Sequence, residues 1–507
     1  MVEVETIFGP IIGKTEQRFG KDIKAFFGIP FAKPPVGDLR FEYLEDPEKW
    51  DSPLETTIPG NICPQNVQNL LSAVKDTTSE DCMYLNVWTP KLKNELTENQ
   101  KTGLHVLVFV HGGYFRFGSG SHPLYDFSIL SSYSNIVCVS FNYRLDVLGF
   151  FSIPGSIPFN LGIADQEHAL KWVQRNIEFF GGDRNQVTVF GQSAGAASIG
   201  YHLMNPEARN LFQRAFLCSG SHISFWAAKK PKKQANDVKR ALKNLGCTET
   251  DPLEIKSFLK NLPLQDLLKI HQMNDESFKW VPVDVNNTVL KGRFDTPINM
   301  PIFIGCTSRE GHLFTNLMIQ RKNMLKGLPT QVTTVPWKQL CLGDVLTNVV
   351  IKNPIKKLAD ALCLSNDVYA YLFNYNGPTR NSILVENLFP KWSGCSHIYD
   401  MFFWLGTVVK YDDEFSAEEV ALSKSMMDLI NSFVTEGSPS TQWPLYVTAT
   451  RNYMEISEHK IMHGSAEGTI LQPKINFAKI NKHLFWPVGA MLSVITQFGI
   501  STAIKAK

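Results

Sequence analysis

The sequence predicts an α/β fold, a mostly parallel, twisted central sheet with helices on both faces and helical insertions. Two observations carry that prediction. The first is a set of short, nearly continuous apolar runs: Leu104–Val110 (LHVLVFV), Ile136–Tyr143 (IVCVSFNY) and Gln186–Phe190 (QVTVF). A run that is apolar throughout, and not at alternate positions, belongs to a strand covered on both faces, as in a parallel sheet. The second is the stretch between the last two runs, where Ala169, Trp172, Val173, Asn176 and Phe180 recur at helical spacing before a stop at Gly181 and Gly182. Strands that alternate with helices pair in parallel. Phe212–Ser219 and Pro301–Cys306 read as two further strands. Residues 226–300 are richer in Lys and polar side chains and read mostly helical, an insertion that caps the sheet. A single domain is therefore expected over residues 1–483.

Composition narrows the function classes. The chain has 507 residues, 44% of them hydrophobic, which is ample for a large core. Its 50 Lys and Arg are balanced by 48 Asp and Glu, with no basic block, so nucleic acid is not an expected partner. Nine cysteines are too sparse for a disulfide scaffold. No metal or cofactor is expected. The N-terminus, MVEVETIFGPIIGKT, has no basic stretch followed by an apolar one. With no signal peptide visible, the chain as written reads as cytoplasmic, or as a processed or incomplete form. Leu484–Ile504 carries no charge and is followed by Lys505 and Lys507. That length would span a bilayer, but Pro487, Gly489, Ser493, Thr496, Gln497 and Ser501 interrupt its apolar character. Residues 484–507 are accordingly read as an apolar tail, either a packed helix or a membrane segment.

Chemistry enters at Gly191-Gln192-Ser193-Ala194-Gly195, which fits G-x-S-x-G. The motif follows an apolar strand and precedes the small-residue helix start Ala194–Gly200 (AGAASIG), the strand–turn–helix that presents a nucleophilic serine. Residues two before and two after the serine must lack bulk for strand and helix to approach. The helix N-terminus also favours negative charge at the reacting centre. Upstream, His111-Gly112-Gly113-Tyr114 follows the first apolar run and is similar to the HGGG loop whose backbone N–H groups hold a tetrahedral oxyanion. Gly112, Gly113, Tyr114 and Ala194 are the candidate donors.

Larger blocks extend the likeness. Gly28–Phe41 (GIPFAKPPVGDLRF), Ser79–Pro90 (SEDCMYLNVWTP), Asn160–Ser198 and Trp443–Tyr446 (WPLY) resemble signatures of the type-B carboxylesterase, or cholinesterase-like, family over about Val4 to Trp486. The resemblance implies an α/β-hydrolase fold, hydrolysis of small carboxylic esters, and a secretory-pathway origin. It also implies the remaining site residues. The family's acid is a Glu before a Gly, placing Glu310 in GCTSREGHLF, and its base lies in G-x-x-H-x-x-D, placing His397 in GCSHIYD. His312 is too close to Glu310 in sequence, and His459, His463 and His483 lack that context. Ser193 is then the nucleophile, His397 its base, and Glu310 the group that orients the base. Cys63 and Cys82 match the family's first disulfide. Cys247 matches one half of a second, but Phe258 stands where its partner would be. Asn286 begins the one N-x-S/T sequon.

Departures from the family pattern bear on substrate. Tyr114 replaces a small residue of the oxyanion loop, and its phenol is expected to narrow the acyl pocket. Gln192 replaces the Glu that cholinesterases carry before the nucleophile, and no Trp lies between Cys63 and Cys82 to hold a quaternary ammonium. A neutral ester is therefore expected. The competing readings are a non-catalytic cholinesterase-like adhesion protein, which would have lost a triad member, and a lipase or amidase on the same fold. Oligomeric state and the natural ester are left open by the sequence.

Overall fold

The computed structural model describes residues 1–464 except 66–77, 99–101, 273–279, 287–288, 290–293, 295, 326–336, 378–388, 390 and 458–460. The tail at 484–507 and the sequon's Thr288 lie outside the described residues. Thirteen strands are described: β1 (Val2–Glu5), β2 (Pro10–Arg18), β3 (Lys21–Pro30), β4 (Leu54–Glu55), β5 (Tyr84–Thr89), β6 (Leu104–Val110), β7 (Val137–Phe141), β8 (Gly182–Gln192), β9 (Arg214–Cys218), β10 (Ile302–Thr307), β11 (Val368–Phe373), β12 (Tyr453–Ile456) and β13 (Ile461–Gly464). They form one sheet in the order β1-β2-β3-β5-β7-β6-β8-β9-β10-β11-β12-β13, with β4 beside β2. From β7 to β12 every pairing is parallel. Antiparallel pairs flank this centre, running from β1 to β7 on one side and joining β12 to β13 on the other.

The apolar runs became the central strands because both faces of the sheet are covered. Side chains alternate across a strand. In β6, Val106, Val108 and Val110 enter one hydrophobic layer while Leu107 and Phe109 enter the other. The same split recurs in β9, where Ala215 and Leu217 oppose Phe216 and Cys218, and in β10, where Ile302 and Ile304 oppose Phe303. On the second face Phe190, Phe216 and Phe303 stack across β8, β9 and β10 with centroid separations of 4.4 and 4.6 Å.

The helix read between β7 and β8 spans Leu161–Asn176, continues as a 3-10 turn over Ile177–Phe180, and ends at Gly181 with φ 78°. The insertion after β9 is helical as expected, with helices Pro231–Asn244, Pro252–Asn261, Leu264–Leu267 and Lys269–Gln272. Arg40 ties it to the N-terminal half. Its guanidinium donates to the carbonyls of Leu259, Lys260 and Leu262 and forms a buried two-point pair with Glu80 at 2.7 and 2.6 Å. Cys63 and Cys82 form a disulfide, and Cys247 is free. Phe258 is a partly buried member of the core margin. Among the described residues no helix is long and apolar enough to cross a membrane.

Register places the site. Val110 of β6 lies opposite Gly191 of β8, Gln192 opposite Cys218 of β9, and Cys218 opposite Gly305 of β10. The carboxyl ends of four strands therefore finish level, at the edge where open α/β sheets bind ligands. Phe216 is sandwiched between two aromatic neighbours at the middle of this block, so Phe216→Ala is expected to cost about 3–5 kcal/mol. Denaturant unfolding should show the loss; a cost below about 1 kcal/mol would mean the stack is not a structural element.

Candidate active site

The turn after β8 is the most constrained backbone in the site. Ser193 has φ 57° and ψ −117°, and the helix Ala194–Met204 begins at the next residue. Its N–H donates to Cys218 O at 2.8 Å and its carbonyl accepts from Ala197 N at 3.0 Å. The two motif glycines act as the sequence predicts. A Cβ on Gly191 would lie 2.5 Å from the Gly195 backbone, and one on Gly195 would lie 1.9 Å from Val110 O.

The loop after β6 abuts this turn. A Cβ on Gly112 would meet the Gln192 side chain at 2.5 Å and Ser193 Cβ at 3.0 Å, so the glycine allows the two segments to touch. Tyr114 has φ 61° and Phe115 φ 62°, an unusual pair for bulky residues. Several bonds hold the loop in that shape. Arg116 and Phe117 donate from their backbones to Gly113 O at 3.0 and 3.1 Å, and Asp146 N donates to Phe115 O at 2.7 Å. The Arg116 guanidinium pairs with Asp146 at 2.8 Å. Gln65, two residues past Cys63, clasps Gly118 through both its backbone groups at 2.8 and 2.9 Å. Buried His111 bonds Gly112 O through Nδ1 at 2.8 Å and stacks on Tyr143. Burial pushes its imidazole down to about 4, so it is neutral at physiological pH. The Tyr114 ring stacks on Trp226, which in turn is anchored by a bond from Nε1 to Val350 O. The phenol thus packs into an aromatic wall beside the loop. The Ala194 N–H, in the first helical turn, has no intrahelical acceptor.

Glu310 follows β10 and is fully buried. Oε1 accepts from Thr307 N at 2.7 Å and from the Ser219 hydroxyl at 2.6 Å, and Oε2 is hydrogen-bonded to His397 Nδ1. A carboxylate that accepts from Nδ1 leaves Nε2 of a neutral ring as the acceptor nitrogen. Among the described residues, the hydrogen-bond partner of Nε2 is the Gln192 side-chain amide at 3.2 Å. His397 arrives on a loop bent by positive φ at Gly394 and Ile398, 59° and 76°. Two bonds pin that loop: Arg309 N to Cys395 O at 2.9 Å and Cys395 N to Asn376 Oδ1 at 3.1 Å.

Ser193, Glu310, His397, Gly112, Gly113, Tyr114 and Ala194 are thereby gathered at one edge of the sheet. His312 sits elsewhere, bonded to Asp344 at 3.0 Å. Sequence reasoning missed Ser219, although its own φ of 56° and its place directly after a strand are the marks of a structured turn. It also assigned nothing to Asp400, the last residue of the G-x-x-H-x-x-D pattern.

The architecture, a parallel sheet with the serine turn at the carboxyl end of its middle strand, is that of an α/β-hydrolase. The Carboxylesterase family model matches residues 1–343 and 341–477, and the chain belongs to that family. It is similar to Cholinesterase of Mus musculus, 30% identical over 90% of this chain and 83% of that protein. It is likewise 30% identical to Acetylcholinesterase of Bungarus fasciatus, over 90% of this chain and 83% of that protein. Membership supports ester hydrolysis as the general activity.

Asp400 is fully enclosed. Tyr371 Oη and Trp404 Nε1 donate to its Oδ2 at 3.0 and 3.3 Å, and Cys218 Sγ lies 3.2 Å from the same oxygen. Burial first, and then the charge of Glu310, push this carboxyl from its ordinary 3.8 up to about 6. Between those two values the folded state keeps a proton the unfolded chain has lost, so stability falls as pH rises through the window and stays lower above it. Asp400→Asn keeps an acceptor for the three donors without the charge. It is expected to gain on the order of 2 kcal/mol at pH 8 and to flatten the stability curve between pH 4 and 6. Urea unfolding across that range tests it; curves that run parallel for both proteins would contradict it.

Proposed function

We propose that the protein hydrolyses neutral carboxylic esters, with Ser193 as nucleophile, His397 as base and Glu310 as the residue that orients the base. The observation that carries this reading is the Ser193 turn, strained beside the oxyanion loop, with the Glu310–His397 bond next to it. In this reading Nε2 of His397 takes the Ser193 hydroxyl proton as Oγ attacks the ester carbonyl. The oxyanion is received by backbone N–H groups drawn from Gly112, Gly113, Tyr114 and Ala194. The imidazolium, held by Glu310, returns the proton to the leaving alcohol. Water activated by the same ring then cleaves the acyl-enzyme, and Ser193 is restored.

The similarity to Cholinesterase and Acetylcholinesterase raises choline esters as a substrate class. Gln192 speaks against it, because a neutral amide gives a quaternary ammonium no charge to pair with at the position flanking the nucleophile. Cleavage of acetylthiocholine is expected to be no better, in kcat/KM, than that of an uncharged acetyl ester of similar size. A tenfold or greater preference for the cation would reverse this assignment.

The central test removes the nucleophile. Ser193→Ala is expected to lower kcat on short aryl esters by on the order of 10⁶ while leaving thermal unfolding unchanged. Alanine also loses reaction with a fluorophosphonate probe. Residual activity within tenfold of wild type would rule Ser193 out.

A further inference from the structure

We infer that Gln192 is a positioning residue whose side-chain amide occupies the lone pair of His397 Nε2 in the resting site and has to yield it before Ser193 can be deprotonated. The inference rests on the proposed hydrolase reading and adds a residue to it. The Gln192 side chain is fully buried between the oxyanion loop and the base. Its orientation follows from the proton count. In the neutral ring with Nδ1 donating to Glu310, Nε2 is the acceptor, and the amide NH₂ is the group that faces it at 3.2 Å. The amide oxygen is left toward Gly112 and, among the described residues, has no hydrogen-bond partner.

An imidazole nitrogen has one lone pair, and in the hydrolase reading the Ser193 hydroxyl needs the one the Gln192 amide now faces. A donor aimed at that lone pair stabilises the neutral ring and opposes its protonation. The other groups around the ring work the opposite way. Glu310 bonds Nδ1, and Asp400 is close enough to interact with the ring's charge. The Phe314 ring covers the imidazole at 5.3 Å and contributes no charge. Gln192 therefore faces the end of the ring opposite to the one Glu310 holds. The bond it makes to Nε2 is one that substrate binding must break.

Wild type, Gln192→Glu and Gln192→Met separate this role from simple packing, since all three side chains are similar in size. The measurements are the rate of fluorophosphonate labelling at Ser193 and kcat/KM for an uncharged aryl acetate, over roughly pH 5 to 9. A carboxylate in place of the amide stabilises the charged ring. The acid limb of Gln192→Glu is expected to move to higher pH by about one unit, which is about a tenfold loss on the acid side. Methionine lacks the donor, so its limb moves the same way by less. Acid limbs of both variants that superimpose on wild type would overturn the role of Gln192 while leaving the hydrolase reading intact. A wild-type protein that labels at no pH would overturn both.

Discussion

The backbone of Ser193 is the constraint on which the rest of the site depends. A non-glycine residue at φ 57° and ψ −117° costs on the order of 1–3 kcal/mol and persists only where its surroundings over-determine it. They do so here from three sides. Val110 of β6 closes on Gly195, Cys218 of β9 accepts the serine N–H, and the helix Ala194–Met204 accepts no bulk at Gly191. The three contacts fall on different strands of the parallel centre, β6, β9 and, through Gly191 against the helix, β8. The sheet register that brings Val110, Gly191, Cys218 and Gly305 level is thus what holds the serine in a conformation it would not adopt alone.

The same level edge concentrates buried charge. Glu310 is out of contact with water, and its carboxylate is made tolerable by a backbone N–H, a hydroxyl and the His397 ring. Ser219, which supplies the hydroxyl, is adjacent to Cys218, which touches Asp400. One turn after β9 therefore serves both acids. The oxyanion side is built from neutral parts: His111 is kept uncharged by burial and braces the loop with a hydrogen bond and a ring stack. The two acids thus lie on the His397 side of the edge and the neutral, glycine-containing loop lies on the other side of Gln192.

The parts of this arrangement legible in the sequence are those encoded locally. The Leu104–Val110 run coincides with β6, and Pro301–Cys306 is β10 shifted by one residue, because strands buried on both faces must be apolar throughout. The flanking antiparallel strands were not read. β2, for example, mixes Lys14, Glu16 and Arg18 with apolar residues on a half-exposed edge, and no uniform pattern marks it. The motif residues were legible because the steric demands of a strand–turn–helix leave a short glycine signature. Ser219, Gln192 as a partner of His397, and Gln65 as a clasp on Gly118 were not, since each acts on a residue distant in sequence through a contact that only the register creates. Tyr114 lies between these cases. Its position in the loop was evident, but its stacking on Trp226 depends on where the segment after β9 turns back.

His397 reaches the site by a different kind of support from Ser193. No strand carries it; it lies on a loop past β11 with two positive-φ residues, located by the bonds of Cys395 to Arg309 and Asn376 and by the helix Met401–Trp404 that follows. Such a loop is cheaper to displace than a parallel sheet, and its side chain must still present Nε2 to the serine. Glu310 fixes one end of the ring and Gln192 meets the other. The ring is then held between Gln192, the last residue of β8, and Glu310, three residues past the end of β10. His397 is thus mounted on a loop but oriented from both ends, by Glu310 and Gln192, each distant from it in sequence.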